Sequence, residues 1–117
     1  SDERIFTWFA RDVMNPTIGG ERWLEWLESL KQIDGPVHLT IDIDGLDGSL
    51  VPATGTPVPG GLSCWHVDQT LDVLFEHCDV ISADVNEIVA QLDTPLTEFT
   101  AAMIATKIIS AYIGKEV

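Results

Sequence analysis

The sequence predicts an α/β chain in which a mainly parallel sheet is sandwiched between helices, three layers in all. Two observations predict it. Apolar strand-like runs alternate with amphipathic stretches long enough for one helix each, which implies right-handed crossovers and parallel pairing. Three acids, Asp42, Asp44 and Glu87, fall at the ends of the second and third runs, where sheets of this kind bind their ligands.

Ile5 to Ala10 is a short apolar and aromatic run that reads as a strand, separated from the next segment by Asn15-Pro16 and Gly19-Gly20. Glu21 to Ile33 sets Trp23, Leu24, Trp26, Leu27, Leu30 and Ile33 on a broad helical stripe, stopped by Asp34-Gly35-Pro36. Val37 to Asp44 alternates as a strand: Val37, Leu39, Ile41 and Ile43 share one face, and His38, Thr40, Asp42 and Asp44 the other. A Pro/Gly-rich loop comes next. Ser63 then caps a helix whose Val67, Leu71, Leu74, Phe75 and Cys78 recur at helical spacing. Asp79 to Glu87 is the third strand. Thr94 offers an N-cap and Pro95 the first position of a last helix, with Phe99, Met103, Ile104, Ile108, Ile109 and Tyr112 as its apolar residues and Gly114 as its end. Three strands are few where about five or six are usual. The expectation is that part of the fold lies elsewhere.

Composition narrows the function. A chain of 117 residues makes one domain at most, and its net charge of −13 lacks the basic footprint that nucleic acid or an anionic membrane surface requires. A cationic ligand or a metal suits that charge better. No apolar run is expected to reach the roughly 18 residues of a membrane span and no signal peptide opens the chain, so a cytoplasmic location is expected. Cys64 and Cys78 read as reduced packing residues. Ser1-Asp2-Glu3-Arg4 reads as the middle of a longer chain.

Asp42 and Asp44 are the chemical centre of the sequence. On one strand face they stand about 6.6 Å apart, able to share one metal or hold two, and mutually repulsive otherwise. A calcium loop starting at Asp42 fails because position 6 is Asp47 rather than Gly and position 12 is Ala53 rather than Glu. No Gly-Lys-Ser/Thr comes after the glycines, which excludes a phosphate loop. Ser63, Cys64 and His66 lack any nucleophile spacing, and His38, His66 and His77 are not spaced as metal ligands.

The longer string is more specific. Asp42-Ile-Asp44-Gly-Leu-Asp47, Pro52-Ala-Thr-Gly-Thr-Pro57 and Pro59-Gly-Gly-Leu-Ser63 together resemble the ureohydrolase family of arginases and agmatinases. Phe9-Ala-Arg-Asp-Val13 is similar to that family's arginine-containing strand end, and Ala83-Asp-Val-Asn-Glu-Ile88 to its acidic segment near the C-terminus. Glu98 to Ala102 and the closing helix resemble the prokaryotic agmatinases, and the likeness covers essentially the whole chain.

The resemblance implies an arginase-like fold, of which residues 1–117 are the C-terminal part, and hydrolysis of a guanidino compound to urea by a pair of manganese ions. It implies that Asp42 bridges the two ions, that Asp44 binds one, that Glu87 pairs with the guanidinium and that Thr56 lines the pocket. It makes no side chain of this chain the catalytic base, because a metal-bound hydroxide is the nucleophile. It also implies a small cationic substrate and a trimeric or hexameric assembly. Agmatine is favoured slightly over arginine, with guanidinobutyrate, guanidinopropionate and proclavaminate-like amidines open. Gly48 and Ala90 stand where the family has proline, and the family's Gly-Gly-Asp-His and Asp-Ala-His-x-Asp segments are missing. Two aspartates cannot satisfy two manganese ions, so the isolated chain is expected to be inactive. The rival reading is a non-catalytic fragment or pseudoenzyme serving as a binding or oligomerisation module.

Overall fold

In the computed structural model, which describes residues 3–90 and 95–115, two parallel strands are crossed over by one helix. The elements run α1 (Ala10–Val13), α2 (Gly19–Leu30), β1 (Pro36–Asp42), α3 (Cys64–His77), β2 (Asp79–Asn86) and α4 (Leu96–Lys115).

The alternation in β1 is as the sequence implies, with Val37, Leu39 and Ile41 half-buried and His38, Thr40 and Asp42 exposed. The parallel register sets Thr40 opposite Asp84 and Asp42 opposite Asn86. Helices cover the apolar face. Leu71 of α3 and Ala101, Ile104 and Ile108 of α4 join Ile43, Leu46 and Val51 in one core, against which Leu39, Ile41 and Val85 pack. Leu30, Leu74, Cys78 and Val80 make a second core with Trp26 and Val37. The two apolar faces share Leu39 and Phe75, so the strands and three helices form one body. Among the described residues the polar face of the sheet stays open, which shows two of the three expected layers.

Ser63 caps α3 as expected: it accepts the His66 N–H, and its own N–H donates to His66 Nδ1 at 3.2 Å. The predicted stripe of α3 is buried or half-buried throughout. Both thiols are free, and Cys78 is buried with its Sγ on the Leu30 carbonyl.

Four expectations need correction. Ile5 to Ala10 is no strand: it has no neighbouring strand among the described residues, Ile5 and Phe6 are exposed, and from Ala10 to Val13 the chain is helical. A short apolar run is ambiguous by periodicity, and a strand persists only with a partner. The glycines at 19 and 20 do not interrupt the chain but begin α2, where a Cβ on Gly19 would lie 2.2 Å from the Val13 carbonyl oxygen. That close approach of α1 to α2 excludes any side chain. The last helix starts at Leu96 and runs to Lys115, one residue past Gly114; Pro95 precedes it and accepts the Phe99 N–H, while Thr94 lies outside the described residues. Of its expected apolar stripe only Ile104 and Ile108 are buried; Phe99 and Met103 are each 67% exposed. The helix therefore has a second apolar side, and Leu96–Gly114 is long and apolar enough to cross a membrane by length and composition, although Glu98 and Lys107 interrupt the run. The fourth correction concerns Asp44 and belongs to the site.

Candidate active site

Asp42 is the last residue of β1, and Glu87 comes directly after the last residue of β2. Because Asp42 pairs with Asn86, Glu87 is one step from the position opposite Asp42 on a strand about 4.8 Å away. The two acids thus stand at the carboxyl ends of neighbouring strands. Asp44 follows Asp42 by a different local structure from the one its spacing implies. The strand stops at Asp42, and Ile43–Gly45 form a 3-10 turn that sinks Ile43 fully into the core. Asp42 and Asp44 therefore leave the chain from different local structures, because burying Ile43 ends the strand before the alternation reaches Asp44.

Thr56 meets Asp44 directly, donating its hydroxyl to Asp44 Oδ2 at 2.7 Å. The loop that delivers Thr56 is held shut by Asp47. Its Oδ1 accepts the Gly60 N–H at 2.7 Å and the Gly61 N–H at 3.3 Å, and its Oδ2 accepts the Ser49 N–H and hydroxyl. A Cβ on Gly61 would lie 2.6 Å from the Asp47 nitrogen, so this crossing of the loop's ends excludes a side chain. The donors hold the Asp47 carboxyl below the usual carboxylate range, the Ser49 hydroxyl first and the backbone amides of Ser49, Gly60 and Gly61 with it. Acid spacing alone assigns Asp47 no role; its signal in the sequence is the Asx-turn pairing with Ser49 two residues on. A depressed carboxyl stabilises the fold only where the unfolded group is also ionised, above about pH 3.9, and that contribution is lost as pH falls through the folded value. Asp47→Ala should lower the thermal midpoint at pH 7, with the gap from the parent narrowing below about pH 4; equal melting curves at pH 7 would remove Asp47 as the loop's clasp.

Glu87 has φ of 68°. A side chain in this left-handed region costs roughly 1–2 kcal/mol, so neighbouring contacts must hold it. On its C-terminal side the Val89 N–H donates to the Ala53 carbonyl at 3.0 Å. Ala53 in turn donates its own N–H to Thr97 Oγ1 at 2.8 Å, and Thr97 is fully buried in the first turn of α4. One chain of hydrogen bonds therefore ties the loop of Thr56 to the segment of Glu87 and to α4. Neither Thr97 nor the turn at Glu87 carries a periodic signal in the sequence.

On the open face of the sheet Asp84 Oδ1 accepts the Thr40 hydroxyl at 2.5 Å and the Asn86 amide at 2.5 Å, and its Oδ2 lies 3.0 Å from His38 Nε2. A carboxylate only accepts, so His38 donates from Nε2, and its Nδ1 shares a hydrogen bond with the Ser82 hydroxyl 2.6 Å away. These donors, Thr40 foremost, hold the Asp84 carboxyl below its ordinary value.

By themselves these residues do not fit a pair of divalent ions. Among the described residues no three His, Cys, Asp or Glu side chains are grouped to hold a metal, and manganese favours octahedral coordination by oxygen donors. Nor do the described residues close a pocket around the acids. The groove of about 500 Å³ that reaches Asp42 is otherwise lined largely by apolar side chains, among them Trp8, Trp23, Trp26, Leu39 and Ile41.

Comparison with known proteins identifies the family. A model of the arginase family matches residues 5–111. The N(1)-aminopropylagmatine ureohydrolase of Thermus thermophilus is 36% identical over 87 residues, 74% of this chain and 28% of that protein. The agmatinase of Pyrococcus horikoshii is 32% identical over 99 residues, covering 78% of this chain and 35% of that protein. The solved arginase of Bacillus caldovelox superposes with a TM-score of 0.72 at 29% identity, over 90% of this chain and 35% of that one. The chain thus spans about a third of the length of the proteins it matches. It shares the fold of the solved arginase over most of its own length, and it belongs to the arginase family.

Proposed function

We propose that this chain supplies the C-terminal half-site of a manganese-dependent ureohydrolase, which cleaves a guanidino compound to urea and an amine. The observation that carries the reading is the convergence of Asp42 and Glu87 at the carboxyl ends of two paired parallel strands, with one loop bonded to both the Asp44 and Glu87 segments. In this reading Asp42 and Asp44 would supply two of the carboxylate donors to the metal pair, which would provide a hydroxide near neutral pH. Thr56 orients Asp44 by occupying one of its oxygens. Glu87 offers the planar acceptor that a guanidinium pairs with bidentately. Agmatine is the preferred substrate, since agmatinases and an aminopropylagmatine ureohydrolase stand among the relatives; arginine is the second. The remaining metal donors come from outside these residues. Large apolar side chains left exposed, Phe99, Met103, Ile109 and Ile113 on α4 and Ile81 on β2, fit a face covered by further fold or by other subunits of a homo-oligomer.

One observation favours a second reading. The lack of any three-ligand group among the described residues is what a non-catalytic module with a relict half-site would show. Urea release separates the two. The native polypeptide, loaded with manganese and offered agmatine, arginine and guanidinobutyrate, should release urea from one of them. The 117-residue chain alone should hold manganese weakly and release none. Turnover by that chain alone would overturn the account of missing donors; no turnover by the native polypeptide would favour the non-catalytic module.

A further inference from the structure

Asp84 is left unexplained by the metal and substrate roles, yet it is the hub of the open sheet face. The Ser82, His38, Asp84 sequence of bonds has the connectivity of a nucleophilic triad, but Asp84 does not end it: its Oδ1 is taken by Thr40 on β1 and Asn86 on β2. Thr40 lies two residues before Asp42, and Asn86 lies opposite Asp42 and directly before Glu87. Asp84 therefore cross-links the two strands at the step before both acids.

The tether bears on Glu87 through backbone geometry. Asp84 and Asn86 lie on the polar face, so a continuing strand would turn residue 87 to the face of Val85, which packs against the helices. The left-handed turn ends the strand there and leaves Glu87 exposed. It is bracketed on one side by the Asn86 side chain, bound to Asp84 and within 3.5 Å of Thr40 Oγ1, and on the other by the Val89 bond to Ala53. A strained conformation persists only where its surroundings over-determine it.

We propose that Asp84 is a positioning residue, which holds Asn86 and through it the left-handed turn that aims the Glu87 carboxylate at the substrate's guanidinium. This rests on the reading of Glu87 given above. The test compares Asp84→Ala, Asp84→Asn and Asn86→Ala in the native polypeptide. It measures manganese content, KM for agmatine and the backbone coupling constant of Glu87 by NMR. Asp84→Ala should raise KM between roughly tenfold and a hundredfold, since misplacement by about 1 Å costs that order, while manganese content stays at the parent value. The Glu87 coupling should move away from its left-handed value. Asp84→Asn keeps an acceptor for Thr40 and Asn86 and should restore most of both readouts. If Asp84→Ala does not fold, Asn86→Ala decides by the same two measurements. Unchanged KM and coupling in the alanine variants would overturn the proposal, as would equal loss of manganese and substrate binding. Should the native polypeptide bind no guanidino compound, the functional reading fails, and the Glu87 coupling still shows whether the tether exists.

Discussion

Replacing Asp42 by asparagine in the native polypeptide should abolish urea release, by on the order of a thousandfold or more, and reduce bound manganese below one ion per chain. The substitution is isosteric and removes one negative charge. In the proposed role the Asp42 carboxylate would supply anionic oxygen donors, whereas a carboxamide has one neutral oxygen and a nitrogen that does not ligate. Loss of a several-kcal/mol metal interaction corresponds to at least about three decades in rate, at about 1.4 kcal/mol per decade. The fold should not notice. Asp42 is exposed at the end of β1, and no hydrogen bond to its carboxylate occurs among the described residues, so the melting temperature should stay within the range of surface changes, about 0.5 kcal/mol. Metal content by atomic emission, urea release and thermal melting measured on one preparation would separate these outcomes. A variant that keeps both ions would remove Asp42 from the bridging position.

The role tested there is what the family resemblance implies; what the residues themselves make legible is local, namely strand alternation and helix capping. Val37 to Asp42 alternates as written and Ser63 caps its helix, whereas the bond from Thr56 back to Asp44 is seen only in the structure. The failures share a different cause. Ile5 to Ala10 has the composition of a strand, but pairing depends on a partner at a distance in sequence. Asp44 leaves the strand because the core takes Ile43 completely, a demand of packing rather than propensity. The link from Thr97 to Ala53 spans 44 residues, and the Thr40 to Asp84 bond the same number, so neither has a signature in local periodicity. The motif singles out Glu87 but carries no signal for its backbone conformation, because glutamate has no preference for the left-handed region. What the structure adds to the site is the set of contacts that hold the acids, and these are long-range.

The conformation of Glu87 makes its substitutions informative in opposite directions. Glu87→Gln should leave manganese content intact and lower kcat/KM for the guanidino substrate by roughly 10² to 10⁴. Two charge-assisted hydrogen bonds are at stake, each worth about 1.5–3 kcal/mol, and glutamine keeps the length and one acceptor. Loss of metal in this variant would place Glu87 among the ligands instead. Glu87→Gly should lose the same activity yet melt at a higher temperature than Glu87→Gln, because glycine adopts positive φ without the roughly 1–2 kcal/mol penalty of a side chain. The greater freedom of glycine in the unfolded chain offsets part of that gain, so the expected difference is under about 1 kcal/mol, a few degrees in the melting temperature of a domain this size. A more stable, inactive glycine variant means that strain is kept at position 87 because the carboxylate is needed in that place. A glycine variant that melts lower than Glu87→Gln would mean that side-chain contacts at 87 outweigh the backbone strain, and the left-handed turn would then carry no functional meaning.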